Sequence, residues 1–102
     1  MASAEQPAKR QFVNFSFHKI DPAWRRLPEE ERSRGKQEFV RVAEEYAGKV
    51  IVIPYTLIGV RGDCDFMLWR IGYELELFQE MMSKLLATGL GKYLTTPYSY
   101  LS

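Results

Sequence analysis

Polar and apolar residues alternate along Gln11–Ile20 (QFVNFSFHKI), with Val13, Phe15 and Phe17 on one side and Asn14, Ser16 and His18 on the other. A period of two predicts a strand with one buried face. Asp21-Pro22 then offers a side-chain acceptor at an N-cap followed by a proline in the first turn. Pro28 and the acids Glu29, Glu30 and Glu31 predict a second, longer helix, with negative charge against the positive end of its dipole. Phe39, Val42, Ala43 and Tyr46 form its apolar stripe, and Gly48 closes it. Gly35 lies inside this helix, where glycine costs about 1 kcal/mol relative to alanine, so a bend or poor order is expected there.

Lys49–Val60 (KVIVIPYTLIGV) predicts a long strand whose Pro54 requires an edge position or a bulge. The turn Arg61-Gly62-Asp63 and the segment Cys64–Ile71 (CDFMLWRI) complete an antiparallel hairpin. Glu74–Thr88 predicts a second helix closed by Gly89, and Leu94–Ser102 contains a last extended segment. The order β-α-β-β-α-β is that of an α+β ferredoxin-like fold, an antiparallel sheet with two helices on one face. Residues 1–10 read as a disordered leader and residues 11–102 as a single domain.

Two helices cover one face of such a sheet, so the other should be polar if it meets water. The sequence does not supply a polar face. Phe66 and Leu68 point one way and Met67 and Trp69 the other, while Val50, Ile51, Val52 and Ile53 fill both sides. In the second helix Leu75, Phe78, Met82, Leu85 and Leu86 make a stripe that Leu77 and Met81 widen. An uncovered patch of this kind exceeds what a lone domain usually exposes. Phe66, Met67, Leu68, Trp69, Leu77 and Met81 are therefore the candidate interface residues. The expected partner is a second ferredoxin-like domain or another copy of the chain, packed sheet to sheet as half of an α+β barrel. A homo-oligomer follows as the expected assembly.

Composition narrows the classes. The chain has 102 residues, 46% apolar, 26% charged and 14% aromatic, with a net charge of +1. That balance argues against a dedicated nucleic-acid binder. No apolar run approaches the ~18 residues of a membrane span. Neither a signal peptide nor a membrane partner is expected. Cys64 is the single cysteine and pairs with nothing internally, which points to the cytoplasm.

Candidate chemistry is thin. His18 is the single histidine, and a zinc site needs three or four ligands. A hydrogen-bonded or surface histidine is the expected role. Cys64 has no histidine nearby in sequence to make it a nucleophile, and is expected to be half-buried. Gly89-Leu90-Gly91 follows a helix and presents carbonyls, not the N–H groups that a phosphate wants. Asp63 and Asp65 lack the later ligands of a calcium loop. The basic stretch Arg25 to Lys36 is interrupted by Glu29–Glu31 and reads as a solvated helix face. Tyr93, Tyr98 and Tyr100 are expected to pack rather than react.

Three segments carry a resemblance: FHKIDPAWRRLPEEER at 17–32, GVRGDCDFMLWRIGYELELFQEMMSKLLATGLGKYL at 59–94, and PYSYLS at 97–102. Together they resemble the N-terminal half of the chlorite dismutase family, which includes the coproheme decarboxylases of bacterial heme synthesis. The strand DFMLWR, followed by a helix and TGLG, is the most specific part. The resemblance implies two fused ferredoxin-like domains per subunit, assembly into rings, and a heme or coproheme held with its proximal histidine in the C-terminal domain. Relatives of full length decompose chlorite or decarboxylate coproheme. This chain is then the structural and assembly half of a heme oxidoreductase, with no heme expected to bind it alone and no catalytic residue carried over. His18 falls where relatives often have another aromatic residue. The alternative is a stand-alone dimeric α+β barrel that holds a porphyrin or other small ligand at its interface without catalysis.

Overall fold

The computed structural model describes residues 10–102. The leader expected over residues 1–10 lies, apart from Arg10, outside the described residues. Four strands and two helices form in the order the sequence predicts: β1 (Phe12–Ile20), α1 (Glu29–Glu45), β2 (Val50–Thr56), β3 (Phe66–Gly72), α2 (Leu75–Leu86) and β4 (Leu94–Leu101). Short 3-10 turns at Pro22–Arg26 and Gly91–Tyr93 connect them. The Asp21 carboxylate accepts from the Ala23 N–H at 2.8 Å and caps the first of these turns.

The strands lie in the order β2-β3-β1-β4, all antiparallel. This is the ferredoxin-like arrangement: β1 and β3 are the central strands, α1 connects β1 to β2 across β3, and α2 connects β3 to β4 across β1. Pro54 sits on edge strand β2 without breaking its register with β3, so the edge alternative holds and the bulge does not. A register shift occurs instead between β1 and β4, at Phe17 and Lys19. The hairpin strands are shorter than expected. β2 stops at Thr56 and β3 starts at Phe66, because Leu57–Val60 closes into a turn in which the Val60 and Arg61 N–H groups donate to the Leu57 carbonyl. Gly59 makes that turn with a φ of 84°.

Both helices pack on one face. The core there is Tyr46, Val50, Leu68, Phe78, Met81 and Leu85. Phe78, Met81 and Leu85 recur at the helical spacing that puts them on one side of α2. Gly35 marks a close approach within a helix that runs unbroken from Glu29 to Glu45. A Cβ there would lie 2.9 Å from the Leu90 nitrogen, 2.9 Å from the Trp24 ring and 3.0 Å from the Gly89 carbonyl carbon. The cost in helix propensity is offset by contact between α1 and the segment that follows α2.

Candidate functional site

Strand register assigns each side chain to a face. Beneath the helices lie Asn14, Ser16 and His18 of β1, Leu68 and Arg70 of β3, and Val50 and Val52 of β2. The opposite face carries Val13, Phe15 and Phe17, then Ile51, Ile53 and Tyr55, then Met67, Trp69 and Ile71, then Tyr98 and Tyr100. The buried side of β1 is thus its polar side, the reverse of what alternation alone suggests. Its apolar side belongs to a face that no element among the described residues covers.

That open face is built from aromatic stacks. Phe15 lies parallel to Trp69 at 5.6 Å between ring centroids, and Tyr55 stacks on Trp69 from the other side at 6.4 Å. Phe17 meets Tyr98 and Tyr100 edge-on at 6.1 and 6.0 Å. Such pairs add to packing and fix ring orientations. Ile51 and Tyr100 remain 58% and 57% exposed, which is a large uncovered apolar surface for a small domain. One end is closed by Arg61, whose guanidinium lies 5.4 Å from the Phe17 ring and 5.3 Å from the Tyr98 ring. Asp63 holds Arg61 through two hydrogen bonds, of 2.9 and 2.7 Å, and its own carboxyl is drawn down to about 2 by that contact. Asp63 thus serves the turn as expected, whereas Asp65, just before β3, accepts from the Ile20 N–H and ties the end of β1 to the hairpin.

The interface residues expected from sequence divide between the two faces. Met67 and Trp69 lie on the open face. Leu68 and Met81 are enclosed in the chain's own core, Phe66 and Leu77 pack against that core, and none of these four belongs to the open sheet face. Side-chain alternation separates Phe66 and Leu68 from their neighbours, and α2 turns Leu77 and Met81 inward.

Behind the open face runs a buried polar row. His18 is fully enclosed; its Nε2 bonds to the Ser16 hydroxyl at 2.9 Å and its Nδ1 to the Thr96 hydroxyl at 3.1 Å. Burial and the neighbouring Arg70 charge hold its pKa at about 4 instead of 6.5. Arg70 is 4% exposed. Its Nη2 and Nε donate to Asn14 Oδ1 at 2.7 and 3.3 Å, and its Nη1 donates to the Phe78 carbonyl at 2.9 Å. Asn14 in turn donates to Ser99 and to the Tyr100 carbonyl, tying β1 to β4. Arg70 was not singled out from the sequence. An arginine at the buried register position of an otherwise apolar strand was the signal available.

Two of the concavities on the helix side border the sheet. One, of about 390 Å³, runs between α1 and β2 and is apolar except for Glu44. The other, of about 520 Å³, lies between α2 and β4 over Asn14 and Arg70. Among the described residues no group of three or more His, Cys, Asp and Glu side chains is arranged to hold a metal. No helix among them is long and apolar enough to cross a membrane.

The sequence profile of the family described as Chlorite dismutase matches residues 32–102. The chain belongs to the chlorite dismutase family. Solved structures place the fold in the same family. A mutant chlorite dismutase from Candidatus Nitrospira defluvii is 26% identical and superposes with a TM-score of 0.87 over 93% of this chain and 40% of its own. Another mutant of that enzyme, in complex with cyanide, is 27% identical, with a TM-score of 0.87 over 99% of this chain and 43% of its own. A heme-binding protein from Thermus thermophilus shares the fold at 23% identity, with a TM-score of 0.78 over 90% of this chain and 39% of its own. The chain therefore spans about 40% of the length of each of these chains.

Heme is the cofactor that the family implies, and the histidine and cysteine present do not fit it. Both nitrogens of His18 are engaged beneath the helices, and an axial ligand needs one of them free and facing a cavity. Cys64 is fully buried, not half-buried as expected, and burial pushes its thiol pKa up.

Proposed function

We propose that this chain is the structural and assembly half of a chlorite dismutase-type heme protein. Its open aromatic face is closed by a second ferredoxin-like unit, and that unit carries the heme. The observation that carries this reading is the face built on Phe15, Trp69, Tyr55, Phe17 and Tyr100, which is apolar, ordered by stacking and uncovered. The share of its relatives' length that the chain spans supports the same reading, because a second unit of similar size has room in them.

In this reading the chain supplies packing surface, not chemistry. It corresponds to the N-terminal half of such a protein and assembles into a homo-oligomer in the cytoplasm, where a lone unpaired thiol stays reduced. The heme ligand, and with it the choice between chlorite decomposition and coproheme decarboxylation, belongs to the second unit. The buried row from Asn14 to His18 keeps the sheet stiff behind the docking face.

The test is a hemin titration of the purified 102-residue chain, followed in the Soret band. No stoichiometric shift is expected, and His18→Gln should change nothing. A one-to-one complex that His18→Gln abolishes would overturn the proposal. A defined dimer holding porphyrin between two open faces would instead establish the stand-alone barrel.

A further inference from the structure

We infer that the groove between α2 and β4 is a binding site for an amphipathic monocarboxylate, with the carboxylate on Arg70 and the apolar tail along α2. It lies on the helix side of the sheet and is independent of the open face.

Arg70, Asn14 and Phe78 are the enclosed residues of the groove, at 4%, 6% and 4% exposure, and so form its floor. A guanidinium has five N–H donors in a rigid fork. Here Nε and Nη2 share one acceptor, Asn14 Oδ1, and Nη1 gives one bond to the Phe78 carbonyl. Two donors are left without an acceptor among the described residues. A buried cation is normally paired with a carboxylate. Arg70 bonds to neutral oxygens alone, and no aspartate or glutamate lines the groove. The Phe78 ring, 5.1 Å from the guanidinium carbon, fixes the fork. The site is thus short of one negative charge with two acceptor oxygens, which is the chemistry of a carboxylate.

The rest of the groove selects the remainder of the ligand. Leu75 and Leu86 are each 36% exposed and Leu101 is 56% exposed. With Met82 they make apolar walls around the cationic floor. A volume of about 520 Å³ falls within the range of small-molecule sites. One charge at the floor, with leucine and methionine walls that Gln79, Ser83 and Ser99 interrupt, matches a single carboxylate on a mainly hydrocarbon tail.

Calorimetric titration of the full chain, in the assembly in which it purifies, with decanoate and with decanol tests this. Decanoate should bind at least about tenfold more tightly than decanol, the scale of one charge-assisted bidentate contact. Arg70→Met should erase the preference. Because that change alters a buried group, the rim variant Leu86→Glu provides a second reading from an exposed position: it should lower the ratio of decanoate to decanol affinity severalfold. Equal binding of the two ligands, no binding of decanoate, or a ratio that Leu86→Glu leaves unchanged would overturn the inference.

Discussion

Acidification should destabilise this domain through His18. The imidazole is fully enclosed, bonded to Ser16 and Thr96, and close to the Arg70 charge. Burial first, and Arg70 second, hold its pKa in the folded chain at about 4 against 6.5 in the unfolded chain. A base whose pKa is lowered on folding favours the neutral form in the native state. Between the two values the unfolded chain binds a proton that the folded chain refuses, so stability falls as the pH drops. The contribution is complete above pH 6.5 and is lost progressively down to about pH 4. The gap corresponds to about 3 kcal/mol in total, at ~1.4 kcal/mol per pH unit. Urea unfolding from pH 7.5 to 4.5, at one fixed protein concentration, measures it. The reference is His18→Gln, which does not titrate. By pH 5 the wild-type chain should have lost about 2 kcal/mol more than the variant. Parallel profiles would refute the reasoning, because they would mean that His18 titrates as a solvated side chain.

Other substitutions probe the same framework. Gly35→Ala should destabilise by about 1–2 kcal/mol in urea unfolding, because overpacking against Leu90 and Gly89 outweighs the gain in helix propensity. Asn14→Leu should cost about 2–3 kcal/mol in the same assay, since Arg70 then keeps a single acceptor in a buried setting.

The element order and the ferredoxin-like class were legible because the strands and helices carry their own periods, and the helices their own stop signals in Gly48 and Gly89. What alternation could not decide was which side of a strand is the inside. In β1 the apolar set Val13, Phe15 and Phe17 is the natural candidate for the core, yet the helices cover Asn14, Ser16 and His18. A sheet with apolar residues on both faces offers two candidate insides, and its hydrophobic pattern is then ambiguous. Gly35 shows a similar limit. Propensity reads the local cost, whereas the close approach to Gly89 depends on residues more than fifty positions away. Arg70 was hidden because hydrophobic pattern does not announce a charge that folds under a helix. The division of Phe66, Leu68, Leu77 and Met81 from Met67 and Trp69 required the register itself.

Coverage of the open face is the centre of the account, and thiol labelling measures it directly. Met67→Cys places a thiol in central strand β3 on that face, and Val40→Cys places one on α1, where Val40 is 53% exposed. The native Cys64 is fully buried and stays silent until the chain unfolds. In the native assembly, a maleimide reagent should modify Val40→Cys rapidly and leave Met67→Cys protected until denaturant is added. Equal rates of modification at the two positions would show that the face meets water, and would contradict the account.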